Sequence, residues 1–211
     1  MSFLDAFFEE QTAQTRSDKI YDDALRVFNT AALQNDTYDA ALAAKVRGGA
    51  DCDRIPGGTG RFGHDASNPI PVNGPFGEWT YLSRLRIRAT GSMVFFHKTR
   101  SFGAVDEFEV VNVSGRFAAR LYFAPYHPRL SRLYPEQFTL EREAVFPRGI
   151  TSICPDFPKG LHKLIKKEAD QRLGVDVVEK ESDRINVAQA QESLSRLRKY
   201  GGLPGKEVQQ P

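Results

Sequence analysis

A segment rich in glycine and proline, residues 48–78, divides this chain of 211 residues into two parts with different hydrophobic periods. Before it, apolar residues recur every three or four positions, which is typical of amphipathic helices. After it, from Trp79 onward, apolar and polar residues alternate, which is typical of strands with one buried face. Helical segments return near the end of the chain, so the pattern predicts an α+β fold.

Five segments have helical spacing or helix-ending residues. The first is at the N-terminus, where Ser2 can cap a short apolar stripe; a second begins near Ser17, and a third ends at Gly48-Gly49 because glycine accepts the left-handed conformation that ends helices. Two more helices are expected from about Pro158 to Leu173 and from about Ser182 to Tyr200. The predicted organisation is an N-terminal helical extension (1–47), an α+β domain (48–200) and a flexible tail (201–211). Within the α+β domain we expect a loop (48–78), an antiparallel meander (79–124) and two helices (158–200).

The alternating region predicts a mostly antiparallel sheet of about four strands, arranged as two hairpins. In the first hairpin, a strand from Trp79 to Arg88 turns at Thr90-Gly91 and returns from Met93 to Arg100. In the second, two strands flank Ser114-Gly115, a pair compatible with a two-residue turn. The second register places Glu109 opposite Arg120, and apolar residues opposite apolar residues on the other face. This agreement supports the hairpin.

Charge and cysteine content exclude several classes of protein. The 29 basic and 27 acidic residues nearly cancel, so the total charge gives no reason to expect a polyanionic partner. The two cysteines, Cys52 and Cys154, are too few for a disulfide framework. The first residues lack the basic and apolar regions of a signal peptide, and no apolar run is long enough to span a membrane. We therefore expect a cytoplasmic protein with no membrane partner.

The 48–78 loop contains two patterns that resemble ligand sites. Residues 58–63 match the spacing G-x-G-x-x-G, but neither a strand before them nor a helix after them is predicted, so nucleotide binding is disfavoured. Asp51, Cys52, Asp53, His64 and Asp65 have metal-binding side chains, but their spacing fits no standard zinc pattern. We expect neither a metal nor a cofactor.

Catalytic chemistry is an alternative that the sequence leaves open. The candidates are loop residues that combine an ionisable group with polar neighbours, namely His64, Asp65, Glu78 and His127. A small hydrolase would need these groups to converge on one concave pocket. Cys52 paired with a histidine is also formally possible as a nucleophile.

Binding is the other possibility, and two groups of residues are candidates. Prolines pre-organise the loop around Asn68, Asn73 and Glu78, and a second loop offers Tyr126, His127 and Arg129. Arg84, Arg86 and Arg88 would share one face of the first strand, where they could hold RNA or single-stranded DNA.

The main functional hypothesis is non-catalytic recognition of another protein, as in immunity or inhibitor proteins. Residues 1–45 carry four basic and eight acidic residues, whereas residues 79–154 carry eleven basic and six acidic residues. Such a polarity suits electrostatically steered association. The hydrolase and the nucleic-acid binder are the two alternatives, and the oligomeric state stays open.

Overall fold

The computed structural model describes residues 16–176 and 180–200. Residues 1–15 of the predicted extension, which include the helical segment predicted after Ser2, and the predicted tail, 201–211, lie outside these ranges. The fold is α+β, as predicted, with a mixed five-stranded sheet and a separate two-stranded sheet.

The described helices lie before, within and after the strand region. Their bounds are α1 Arg16–Asn29, α2 Ala31–Asn35, α3 Ala40–Gly48, α4 Gly74–Arg84, α5 Leu161–Leu173 and α6 Val187–Tyr200, with a 3-10 helix at Lys180–Arg184. The Asp39 side chain caps α3 by accepting a hydrogen bond from Leu42 N–H. Gly174, in the left-handed conformation, ends α5. No helix in the described ranges is long and apolar enough to cross a membrane.

The main sheet contains five of the seven strands. The strands are β1 Ile70–Pro71, β2 Leu85–Ile87, β3 Phe95–Phe102, β4 Val105–Val111, β5 Ala118–Ala124, β6 Phe138–Leu140 and β7 Gly149–Ile153. The order in the main sheet is β1-β5-β4-β3-β7. Its central pairs are antiparallel, whereas β1 pairs with β5 and β7 pairs with β3 in parallel. The predicted sheet of about four mostly antiparallel strands is therefore corrected in strand number and in the direction of both outer pairs.

The second predicted hairpin is confirmed in its register. Glu109 lies opposite Arg120, Phe108 opposite Leu121 and Val110 opposite Ala119. The strands end at Val111 and Ala118, so the connection between them is longer than the predicted two residues.

The first predicted hairpin is wrong in its first strand and in its pairing, whereas its returning strand corresponds to β3. Residues from Trp79 to Arg84 belong to helix α4, and only Leu85–Ile87 form a strand, which pairs with β6 instead of β3. A single bridge between Arg86 and Met93 is what joins this strand to the chain entering β3. The predicted loop 48–78 is likewise interrupted, because it contains β1 and the first turn of α4.

Two apolar clusters cover opposite faces of the main sheet. Phe96 and Val110 belong to one cluster with α4 residues, whereas their neighbours Phe95 and Val111 belong to the other with residues of α5 and α6. Adjacent residues of a strand point to opposite faces, so the sheet is sandwiched between helices. We call the face that carries Phe95 and Val111 the α6 face.

Helix α1 packs into the apolar cluster that contains Phe96 and the α4 residues. Phe28 of α1 is fully buried, and its ring meets the Trp79 ring edge to face at 5.1 Å between centroids. Whether residues 1–47 form a separate extension stays a prediction.

Candidate functional site

A pocket with a volume of about 420 Å³ opens on the α6 face of the main sheet. Its walls come from β3, β4 and β5, from the end of β7 and the segment that follows it, and from the last turns of α6. The lining is His97, Thr99, Arg100, Glu107, Glu109, Arg120, Ile153, Cys154, Pro155 and Arg198. Its volume lies within the range of about 300–1,000 Å³ that is usual for ligand sites.

The alternation along β4 explains why charged groups collect there. Glu107, Glu109 and Val111 point to the α6 face, but the apolar cluster under α5 and α6 covers only the Val111 end. The two glutamates therefore form the floor of a region over which the apolar cluster does not extend. On either side of Glu109, the register places His97 on β3 and Arg120 on β5, so the three side chains form one row across the sheet.

A β-bulge in β3 brings two donors to Glu107. The register shifts between Lys98 and Arg100, so that Thr99 is an extra residue opposite Glu107. Thr99 Oγ1 donates a hydrogen bond to Glu107 Oε1 at 2.7 Å, and Arg100 donates to Oε2 at 2.9 Å. Burial opposes ionisation of Glu107, but these donors and Arg120 outweigh it, and the pKa of Glu107 lies below its ordinary value.

Glu109 is held as a carboxylate by the last helix. Both guanidinium contacts are short, because Arg198 Nε lies 2.9 Å from Oε1 and its terminal nitrogen lies 2.6 Å from Oε2. Burial raises the pKa of Glu109, but contacts with His97 and Arg198 outweigh it and lower the pKa to about 2. The bidentate pair fixes the last turns of α6 to the floor of the pocket.

His97 presents a hydrogen-bond donor to the pocket. Its side chain stacks on Phe157 at 4.2 Å between ring centroids, and its Nδ1 accepts a hydrogen bond from Cys154 N–H at 3.1 Å. An accepting Nδ1 places the proton of a neutral imidazole on Nε2. His97 is 3% exposed, and Nε2 makes no hydrogen bond of good geometry with any described residue. The nearest acceptor, Glu109 Oε2, is 3.5 Å away, at the limit of hydrogen-bond length.

Arg120 carries a second unpartnered donor. Its Nε is buried and has no hydrogen-bond partner in the described part of the chain. Its contacts with Glu107 and Glu109 are 3.5 Å long, whereas Arg100 and Arg198 approach the same carboxylates to within 3 Å. A buried donor without an acceptor costs about 1–3 kcal/mol, so an acceptor that enters the pocket would recover free energy from both His97 and Arg120.

None of the residues predicted as a site lines this pocket. The sequence nevertheless contains one signal for it, namely two glutamates two positions apart in a strand whose other residues are mostly apolar. Charged residues on a face that should be buried mark either ion pairs or a site. The other lining residues are 9 to 89 positions away from Glu109, so sequence spacing could not bring them together.

The predicted binding residues of the Asn68–Glu78 segment are buried. Asn68 donates to Gly60 O at 2.9 Å. Asn73 Nδ2 donates to Gln34 Oε1 and Asn35 Oδ1, both at 2.9 Å, and thereby joins the start of α4 to α2. Their position favours a structural role, in which they hold the loop against the helices.

Glu78 lies at the opposite side of the sheet from the pocket. It is 0% exposed, and neither carboxylate oxygen has a donor among the described residues. Burial and the neighbouring Asp106 raise the pKa of Glu78 well above its ordinary value. Asp106 itself forms an ion pair with Lys98 at 2.7 Å. Burial opposes the ionisation of Asp106, but its contacts with Glu78 and Lys98 outweigh burial and lower the pKa of Asp106. Glu78 is thus a protonated acid beside an ionised one.

The second predicted loop is tied to the Asp51–Asp53 segment. Arg129 forms ion pairs with Asp51 and Asp53, and Arg132 pairs with Asp53 at 2.8 Å. His127 Nδ1 lies 2.7 Å from Ala50 O. These contacts anchor one loop to the other.

His127 also lies 3.8 Å from the Cys52 sulfur, measured from Nδ1. Burial raises the pKa of the Cys52 thiol despite the nearby Arg129, so the thiol is not activated as a nucleophile. Tyr126, the other predicted residue of this loop, forms an isolated bridge with Asn73, and its ring lies 5.3 Å from Lys45 Nζ.

His64 and Asp65 belong to the packing of the glycine-rich turn. His64 is buried, with Nε2 3.1 Å from Glu136 O, and its pKa is lowered by burial. The Asp65 carboxylate accepts a hydrogen bond from Arg61 N–H. No group of three or more His, Cys, Asp or Glu side chains within residues 16–176 and 180–200 is placed to hold a metal ion.

The predicted arginine face is not formed. Arg84 ends helix α4 and donates to Glu141 O at 2.7 Å, and Arg86 pairs with the Glu141 carboxylate at 2.8 Å. Arg88 lies over the Tyr134 ring, with 5.6 Å between its guanidinium carbon and the ring centroid. The three side chains therefore contact other parts of this chain, two of them around Glu141. This corrects the strand geometry on which the nucleic-acid hypothesis depended.

Comparisons of the chain with models of protein families, with curated proteins and with solved structures gave no match.

Proposed function

We propose that this protein is a non-catalytic binding protein that recognises an acidic group of a partner protein in the pocket on the α6 face. The observation that carries the proposal is the pair of buried, unpartnered donors, His97 Nε2 and Arg120 Nε, on the walls of one open pocket. Donors without acceptors favour a ligand that brings acceptor oxygens.

The state of the ionisable groups favours binding over catalysis. A general base needs an unprotonated atom directed at the ligand, but the free nitrogen of His97 carries its proton. Glu107 and Glu109 are already ionised and paired with arginines. The hydrolase alternative, built on His64 and His127, has no comparable support, because each ring is engaged with a backbone carbonyl.

A protein ligand is favoured by the shape and charge of this surface. The pocket is open to solvent, and the exposed Ile153 side chain stands at its wall, so that an apolar surface could pack beside the charged floor. Buried contacts of this kind, surrounded by polar groups, are typical of protein interfaces.

The test is affinity capture from the source cells with three forms of the full chain. These are the wild type, Arg120→Gln, and Arg196→Gln as a matched control whose arginine is exposed on α6 and pairs with Glu192. Each lysate is divided into nuclease-treated and untreated halves, and captured proteins are quantified by mass spectrometry.

We expect one stoichiometric protein that the wild type and Arg196→Gln capture in both halves and that Arg120→Gln loses. Equal capture by Arg120→Gln would contradict recognition at the pocket. Loss of every partner after nuclease treatment would favour the nucleic-acid alternative, and no partner under any condition would contradict the proposal.

A further inference from the structure

We infer, on the basis of the proposed function, that the acidic group in the pocket is a carboxylate with an aliphatic group beside it. A protein supplies this chemistry at a C-terminal leucine or valine, and a cell supplies it also as a free branched-chain acid. The charge, the donors and the apolar wall of the pocket each point to this class.

The charge of the lining suits a monoanion. Three arginines and two glutamates line the pocket, which gives a net charge of +1 when the His97 ring is neutral. One carboxylate neutralises this charge. A phosphate monoester carries about −1.5 to −2 at neutral pH, so it would leave excess negative charge next to the ionised Glu107 and Glu109. Uncompensated charge is costly in a partly buried site.

The number of free donors fits the two oxygens of a carboxylate. His97 Nε2 and Arg120 Nε are the buried nitrogens of the described pocket lining that lack a hydrogen-bond partner. They reach the region above Glu109 from opposite strands, because His97 and Arg120 pair with Glu109 from either side. Each donor can bind one carboxylate oxygen. Arg100 and Arg198 each already donate to a glutamate through a terminal guanidinium nitrogen.

The wall above β7 offers an apolar surface next to these donors. Ile153 is 62% exposed although it is a large aliphatic residue, and Pro155 lies beyond it in the same wall. An aliphatic group attached to the bound carboxylate would cover the Ile153 side chain and remove apolar surface from water.

The inference is tested by titration calorimetry of the full chain with small probes of matched shape. The probes are isovalerate, its uncharged amide isovaleramide, acetate as the carboxylate without an aliphatic group, isobutyl phosphate, and the dipeptide N-acetyl-Gly-Leu with either a free or an amidated C-terminus. The variants are Arg120→Gln, Arg120→Lys, Ile153→Ser and the control Arg196→Gln, each checked for an unchanged circular dichroism spectrum.

We expect isovalerate and the free dipeptide to bind, and both amides to fail. Arg120→Gln should weaken binding at least about tenfold, because a charged hydrogen bond is lost. Arg120→Lys should weaken it as well, although the charge remains, because lysine has no donor equivalent to Nε. Ile153→Ser should weaken isovalerate several-fold and acetate not at all, and Arg196→Gln should change nothing.

Other outcomes overturn the inference in distinguishable ways. Tighter binding of isobutyl phosphate than of isovalerate would overturn the carboxylate class and leave recognition of an acidic group intact. Failure of every anion to bind, together with retained protein capture by Arg120→Gln, would overturn both this inference and the proposed function. Binding of isovalerate but not of the free dipeptide would assign the carboxylate to a small acid and would contradict the protein partner.

Discussion

Replacement of Glu78 by glutamine should remove a pH dependence from the stability of the fold. Glu78 is 0% exposed, and neither of its oxygens receives a hydrogen bond from a described residue. Burial and the adjacent Asp106 raise its pKa in the folded protein, whereas the unfolded chain has the ordinary value of about 4.3. The folded state therefore keeps a proton that the unfolded state releases.

The sign and the slope follow from this difference in bound protons. Between the two pKa values the native state binds one more proton, so the free energy of unfolding decreases as pH rises. The slope is about 1.4 kcal/mol per pH unit, a tenfold change in the unfolding equilibrium constant. The stabilisation that Glu78 contributes to the fold is fully present below about pH 4.3, and it is lost as the pH rises through the pKa that Glu78 has in the folded protein. Asp106 has a lowered pKa in the folded protein, so its contribution to the free energy of unfolding increases as pH rises, and it does so at more acidic pH.

Urea unfolding of the wild type and Glu78→Gln at a series of pH values above about 4.3 measures the effect. Glutamine mimics the protonated acid and cannot ionise. The unfolding free energy of the variant, relative to that of the wild type, should therefore increase as pH rises. Glu192→Gln, at an exposed position, is the matched control and should follow the wild type. Identical pH slopes for the wild type and Glu78→Gln would refute the reasoning, whatever constant offset the substitution causes.

Three further substitutions test the packing that positions the sheet, all by urea unfolding. Asn73→Ala should cost about 3 kcal/mol, because it leaves the buried Gln34 acceptor without its donor. Trp79→Phe should cost about 2 kcal/mol, because the indole N–H that donates to Gly149 O at 2.7 Å is removed. Phe28→Ala should cost about 3–5 kcal/mol, the usual loss for a buried phenylalanine, because helix α1 is packed into the main core. For each of these variants, a loss below about 1 kcal/mol would contradict the contact on which its prediction depends.

The sequence predicted the β4–β5 register because that information is local. Glu109 and Arg120 lie on either side of one short connection, and pairing charge with charge also paired Phe108 with Leu121. A slip of one residue would have placed charges against the apolar cluster. Helix α3 ends at Gly48-Gly49 and α5 ends at Gly174, so a residue type marked each end in the sequence, but only Gly174 is left-handed, whereas Gly49 is extended.

Helix α4 could not be recognised by its period. Nearly all of its residues are buried, including Phe76, Trp79 and Leu82. A helix that is enclosed on all sides has no polar face, so the 3.6-residue repeat disappears. Aromatic residues then resemble a strand, and the alternation from Trp79 to Arg88 was a coincidence of composition.

The pocket escaped prediction for a different reason. Its row of His97, Glu109 and Arg120 depends on three strands in register, and Arg198 arrives from the last helix. The parallel pair β3–β7, which brings Ile153 and Cys154 to the wall, joins segments that are more than 50 residues apart. Spacing along the chain contains no trace of such pairings.

The most direct test of the pocket is the imidazole of His97 observed by long-range ¹H–¹⁵N NMR spectroscopy. Comparison with His97→Gln assigns its ring nitrogens among the four histidines of the chain. The account predicts a neutral ring protonated at Nε2, and a shift of this nitrogen when isovalerate is added but not when isovaleramide is added. A proton on Nδ1, or an Nε2 resonance that isovalerate leaves unchanged, would contradict a donor that faces the pocket and binds an acidic ligand.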